Sequence, residues 1–159
     1  MQKQIEEIQA AIKTGSVRLS SCGYYIKILG AWMDNKMNER LEPLGLSLTQ
    51  FVIMMILLEE DSLTQVEIGQ KAALPGYATT RNLDKLESLG YVKRKRHELS
   101  RRSYRIQLTD AGRDLAPVLY RATTSVNELL LSPLTEEQKT EFKRILNLLS
   151  RKLKVPTED

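Results

Sequence analysis

Apolar residues recur three and four apart along most of this chain and switch to alternation in one short region. Ile5, Ile8 and Ile12 open a short helical segment that Gly15 interrupts. Cys22, Tyr25, Ile26, Leu29, Trp32, Met33, Met37 and Leu41 then predict a long helix over residues 17–41, ended by Pro43 and Gly45. Gly23 and Gly30 lie inside it, explained by close approach of another backbone or by simple tolerance. Residues 51–58, FVIMMILL, are apolar at every position, so periodicity leaves helix and strand open. The flanks decide for helix, because Ser47 with Gln50 reads as a capping box. A helix apolar all round is expected to be covered on all sides, wedged between lobes.

Thr64 with Glu67 forms a second capping box, opening a helix with Ile68, Gly69 and Ala72 inward. Pro75 and Gly76 mark a turn and the start of a third helix ending near Gly90. Residues 91–96 and 104–109 alternate as two strands joined by a loop over 97–103. Thr109 caps a long helix from Asp110 that Pro117 should bend, and Ser132 and Pro133 break the pattern. Thr135 with Gln138 starts a last helix with Phe142, Ile145, Leu146, Leu149 and Leu153 on one face. Residues 155–159 are expected to be a disordered tail.

Two helices joined by a tight turn and followed by a hairpin make a winged helix-turn-helix. The expected fold class is therefore mainly α, with a small two- or three-stranded β wing. At 159 residues the chain is one domain, or two small lobes sharing a core. No apolar run approaches the ~18 residues of a membrane span. The first thirteen residues lack the apolar centre of a secretory signal, and Cys22 is the single cysteine, so a reducing cytoplasm is the expected setting. One histidine, His97, and one cysteine exclude an ordinary His/Cys zinc cluster. With no Gly-rich phosphate loop and no carboxylate-pair motif, an enzyme is not expected, nor a metal or cofactor.

Charge sharpens this picture. Residues 91–105 hold Lys93, Arg94, Lys95, Arg96, Arg101, Arg102 and Arg105 against one acid, Glu98, a local charge of +6. The whole chain is +4, which leaves −2 for the remainder. A basic patch this concentrated is the footprint of a phosphate backbone, so double-stranded DNA is the expected partner. On the third helix Thr79, Leu83 and Leu86 form the inner face, opposite Tyr77, Arg81, Asp84 and Ser88. The N-terminal end of such a helix meets base edges, which selects Gly76, Tyr77, Ala78, Thr80 and Arg81, with Lys85 on the flank. Arg81 can donate bidentately to guanine, Thr80 can bond a base or a phosphate, and Ala78 or Tyr77 can touch a thymine methyl. Tyr77 reads equally as a packed hydrophobe. Asp84 should stand away from phosphate or pair with a cation. In the wing Arg96, Arg101 and Arg102 are the candidate DNA contacts, with the last two at the tip suited to a narrow minor groove.

The segments LSLTQFVIMMIL, LTQVEIGQKAAL, TTRNLDKLESLGYVKRK and SRRSYRIQLTDAG, in this order and at these spacings, resemble the MarR family of bacterial transcriptional regulators. The resemblance implies a homodimer whose first and last helices form a dimerisation lobe, on a palindromic operator. It divides the chain into N-terminal dimerisation helices (1–45), a winged DNA-binding lobe (46–112), C-terminal dimerisation helices (113–154) and a tail (155–159). The terminal amphipathic segments, whose apolar faces need a partner, agree with a dimer. The resemblance further implies a repressor released by a small aromatic or amphipathic effector bound between the lobes. Trp32, Met33, Met37, Met54 and Met55 could line that cleft, or could be plain core. One departure stands out: the family's wing commonly reads Asp-x-Arg, and here Ser100 replaces the acid while Arg102 keeps the arginine. Cys22, with only Arg18 nearby as a cation, reads as a buried structural thiol and not a redox sensor. The competing function is a winged-helix module that binds protein without a specific operator.

Overall fold

The computed structural model describes residue 12, residues 21–97 and residues 100–153, with the side chains of 97 and 100–103 left aside. The expected first helical segment with Ile5 and Ile8, the expected start of the long helix at residues 17–20 and the expected tail lie outside the described residues. The chain divides into two compact units, 1–122 and 123–159.

In the first unit α1 runs Cys22–Leu41 and leads through a 3-10 turn, Glu42–Leu44, into α2, Leu48–Glu59. Strand β1 (Leu63–Thr64) precedes α3 (Gln65–Lys71), and α4 (Gly76–Ser88) follows after a short turn. Strands β2 (Val92–His97) and β3 (Ser100–Leu108) form the hairpin, and α5 (Asp110–Asp114) closes this part. The sheet has the order β1-β3-β2 and is antiparallel throughout. Helix α6 (Ala116–Leu131) begins in the first unit, and α7 (Glu136–Lys152) belongs to the second.

Each helix start has a local cause. Ser47, Thr64 and Thr135 accept from the backbone N–H three residues on, and Gln50, Glu67 and Gln138 reach back to the cap N–H, so all three expected capping boxes are present. Ser21 caps α1 by accepting from the Tyr24 N–H, which starts that helix at Cys22, the first residue of the apolar stripe and five residues after the expected start at 17. Pro117 does more than bend its helix. A proline clashes with the carbonyl four residues back, so the run from Asp110 breaks at Leu115, and Pro117 sits in the first turn of α6, where no N–H is needed.

The core of the first unit is built from Leu41, Ile53, Met54, Leu57, Ile68, Leu83, Leu86 and Ile106, all essentially without exposed surface. Two expectations are corrected here. Helix α2 is not covered on all sides: Ile53, Met54 and Leu57 are buried, while Val52 is exposed and Phe51, Met55, Ile56 and Leu58 are half-buried. Cys22 is exposed, not a buried structural thiol. It stands at the start of α1, where Tyr25, Ile26 and Leu29 are exposed too, and only Met37 and Leu41 farther along are buried. The apolar stripe is real, but the described residues of this unit cover only its C-terminal end. In the second unit α7 buries no residue: Ile145, Leu146, Leu149 and Leu153 are exposed and Phe142 is half-buried.

Candidate nucleic-acid interface

Helices α3 and α4 cross so closely that no side chain fits between them at one point. A Cβ on Gly69 would stand 2.9 Å from the Thr79 hydroxyl and 3.3 Å from the Leu74 carbonyl oxygen. The connecting turn is closed by Leu74 N–H donating to the Gly69 carbonyl at 2.8 Å, with Ala73 in the left-handed region at φ 51°. Pro75 then sets the extended entry into α4. This tight turn holds the N-terminal end of α4 out from the unit.

The residues expected on that end are placed as follows. Tyr77 is 81% exposed, which removes the alternative that it is a packed hydrophobe. Gly76, Arg81 and Lys85 are exposed, and Ala78 and Thr80 are half-buried. Arg81 and Lys85 hold no ion pair among the described residues. Thr79, Leu83 and Leu86 are buried, as their inner-face assignment requires. The Thr80 hydroxyl is already engaged: it donates to the Gly76 carbonyl at 2.9 Å and accepts from the Gln65 side-chain amide at 2.6 Å. Gln65, the first residue of α3, was not among the expected site residues. Its only sequence signal is its place directly after the Thr64 cap.

The hairpin brings part of its charge to the same surface. Val92 pairs with Leu108, Arg94 with Ile106 and Arg96 with Tyr104, so these residues share the sheet face that carries the core. Arg94 turns inward and clamps α4: it donates to Asp84 at 2.6 Å and to Glu87, and its N–H donates to Glu87 at 3.1 Å. Burial works against the Arg94 charge, but the bonds from Asp84 and Glu87 outweigh it and hold the guanidinium above its ordinary range. Asp84 thus finds the cation it needed. Arg96 and Tyr104, farther out on this face, are exposed. Lys93, Lys95 and Arg105 occupy the opposite face. Arg105 is held in place there, since it donates to the Ser62 carbonyl, a neutral group that leaves its charge uncompensated.

The wing tip is shorter than expected. Residues 100–103 belong to β3 and not to a loop, because pairing jumps from Arg96 with Tyr104 to His97 with Ser100. Arg101 and Arg102 therefore lie in strand backbone beside that register shift, and their side chains are outside the described residues.

The hairpin's base is pinned on two sides. Asp61 accepts from the Leu108 N–H at 3.0 Å and pairs with Arg113. Burial alone would raise the Asp61 pKa, but those bonds outweigh it and hold the carboxyl below its usual range. Thr109 accepts from Gly112 N–H at 3.0 Å as the cap of α5, and its hydroxyl also reaches the Gly90 carbonyl at 2.6 Å.

The expected effector cleft is only partly available. Met54 has no exposed surface and Met37 is 7% exposed, so both fill the core and neither lines an opening. Trp32, Met33 and Met55 keep some exposure. An open depression of about 810 Å³ is lined by other residues, among them Asn35, Asn38, Glu39, Glu42, Gln50 and Lys85. No group of three or more potential metal ligands occurs among the described residues.

The MarR family model matches residues 44–103. The chain is 34% identical to the HTH-type transcriptional repressor Rv2887 of Mycobacterium tuberculosis over 127 residues, 80% of this chain and 91% of that one. It also superposes on two solved structures of Rv2887. The complex with DNA gives a TM-score of 0.70 at 30% identity, over 82% of this chain and 98% of the other. The complex with salicylic acid gives 0.67 at 33% identity, over 82% and 96%. The winged helix-turn-helix architecture and these relatives agree: the chain belongs to the MarR family of transcriptional regulators.

Proposed function

We propose that this chain is a cytoplasmic homodimeric repressor that reads a palindromic operator and releases it when a small aromatic acid binds. The observation that carries the reading is the outward N-terminal end of α4, where Tyr77 is 81% exposed beside Arg81. A tyrosine so exposed is free to make a contact, and the N-terminal end of such a helix is the part that meets base edges. Gly76 and Ala78 let the helix end approach the groove, Arg81 donates to guanine, and Lys85 and Arg96 flank the contact. Arg101 and Arg102 are assigned to the minor groove.

Residues 46–112 are assigned to DNA binding and residues 1–45 and 113–154 to dimerisation. The exposed Tyr25, Ile26 and Leu29 of α1, and Ile145, Leu146 and Leu149 of α7, support a partner for each face. Rv2887, solved with DNA and with salicylic acid, supports both the operator and an acid effector. Trp32, Met33 and Met55 are the cleft residues with surface left to meet it. The effector releases DNA only by binding the DNA-incompetent arrangement more tightly.

Replacing Arg81 tests the assignment. Arg81→Ala should relax base preference by ~1–3 kcal/mol at one position per half-site. An unchanged operator preference in that variant removes α4 from the interface.

A further inference from the structure

Helix α3 carries a residue that changes what α4 can read. The Thr80 hydroxyl has one proton and two lone pairs. Its oxygen lies 2.9 Å from the Gly76 carbonyl, a group that can only accept, so the proton is committed there. The Gln65 amide, 2.6 Å away, must then present its N–H to Thr80, and that bond takes one lone pair. What remains on Thr80 is a single acceptor site. A phosphate oxygen offers no proton, so Thr80 in this state has nothing to give it. The guanine O6 and N7 and the thymine O4 in the major groove are likewise acceptors. Only adenine N6 and cytosine N4 present a donor there.

We propose that Gln65 is a specificity-determining positioning residue: by donating to Thr80 it locks the hydroxyl in the orientation that gives its proton to Gly76, and the resulting pure acceptor makes α4 select an amino-bearing base, adenine or cytosine, on one strand of each half-site. This rests on the reading of α4 as the recognition helix. Gln65 lies fifteen residues from Thr80 and outside α4. It is half-buried where the two helices meet, in a groove shared with Gly69, Gly76 and Thr79. The close crossing at Gly69 brings the N-terminus of α3 within reach of Thr80. Without the amide, the hydroxyl can rotate away from Gly76 and donate, and the rejection of guanine and thymine weakens.

The selection has a signature of its own. Every base pair holds one amino-bearing base, so the choice is between strands and not between A·T and G·C. At the contacted position, inverting A·T to T·A should cost binding, while replacing A·T by C·G should not.

The experiment selects an operator from random duplexes with the full-length wild-type protein, then measures anisotropy on every base substitution of one half-site. Wild type, Gln65→Ala, Thr80→Val, Thr80→Ser and the Gln65→Ala/Thr80→Val double variant are compared, each with its melting temperature. One neutral hydrogen bond corresponds to about a fivefold preference. Wild type and Thr80→Ser should show that preference for adenine or cytosine at one position. Gln65→Ala and Thr80→Val should each lose it, and the double variant should be no worse than either. A merely structural Gln65 lowers affinity evenly over all substitutions and leaves the base profile unchanged, which overturns the proposal. Additive single effects, or a selected guanine or thymine at the position that Thr80→Val affects, overturn it as well. A wild type that selects no sequence at all overturns the operator reading itself, and this inference with it.

Discussion

Gly112→Ala is a small substitution with a large expected cost. A Cβ at this position would lie 2.1 Å from the Tyr91 carbonyl oxygen and 3.1 Å from its carbon. An ordinary contact needs about 1 Å more, and the obstacle is backbone, which cannot swing aside as a side chain does. That carbonyl also accepts the Thr109 N–H at 3.0 Å, so pushing it away strains the join between the hairpin and α5. Overpacking of this kind costs ~1–3 kcal/mol. A weakened hydrogen bond adds ~1 kcal/mol, and the better helix propensity of alanine returns ~1 kcal/mol. The balance is a loss of about 1–3 kcal/mol, or roughly 3–10 °C in melting temperature for a chain of this size. Thermal and urea melts at one fixed protein concentration measure it, since a dimer's stability depends on concentration. A melting temperature within 1 °C of wild type, or above it, refutes the close approach.

The remaining predictions concern the turn, the clamp and the acid limb. Ala73→Gly relieves the left-handed residue between α3 and α4 and should raise stability by ~0.5–1 kcal/mol; a lowered urea midpoint counts against it. Arg94→Gln leaves Asp84 and Glu87 uncompensated on α4, the proposed recognition helix, and should weaken DNA binding about tenfold at low salt, less at high salt; unchanged affinity at low salt contradicts the clamp. Asp61 has its folded pKa depressed, so its contribution to stability is complete above the unfolded value of ~3.9 and is lost as pH falls through the folded value. Urea midpoints should therefore drop on acidification below about pH 4, and Asp61→Asn should flatten that drop; an equally steep acid limb in the variant rejects this role.

Local signals carried most of the fold. The three capping boxes, the Pro75 turn and the alternation at Val92 and Ile106 are each decided within a few residues, and each stands where the spacing puts it. The segment LTDAG turns out to be one joint: Thr109 caps α5 and ties it to Gly90, and Gly112 makes room for Tyr91. What the sequence hides depends on partners far along the chain. Strand β1 is two residues long and exists because Leu63 meets Ile106. Arg94 counts as free charge in composition, yet it is spent on Asp84 and Glu87, and Arg105 is tethered to the Ser62 carbonyl. Cys22 sits in an apolar stripe that the described residues of this unit bury only from Met37 onward. Gln65 carries no motif; only the crossing of α3 over α4 brings it to Thr80.

The central claim is that the exposed end of α4 and the basic hairpin bind DNA by sequence. The most direct test is fluorescence anisotropy of the full-length protein on duplexes from its own promoter region and on a scrambled duplex, across a salt series. Tight binding to one promoter duplex, weak binding to the scramble and a steep fall with salt are the results predicted here. Equal, weak binding to every promoter duplex and to the scramble would contradict the claim.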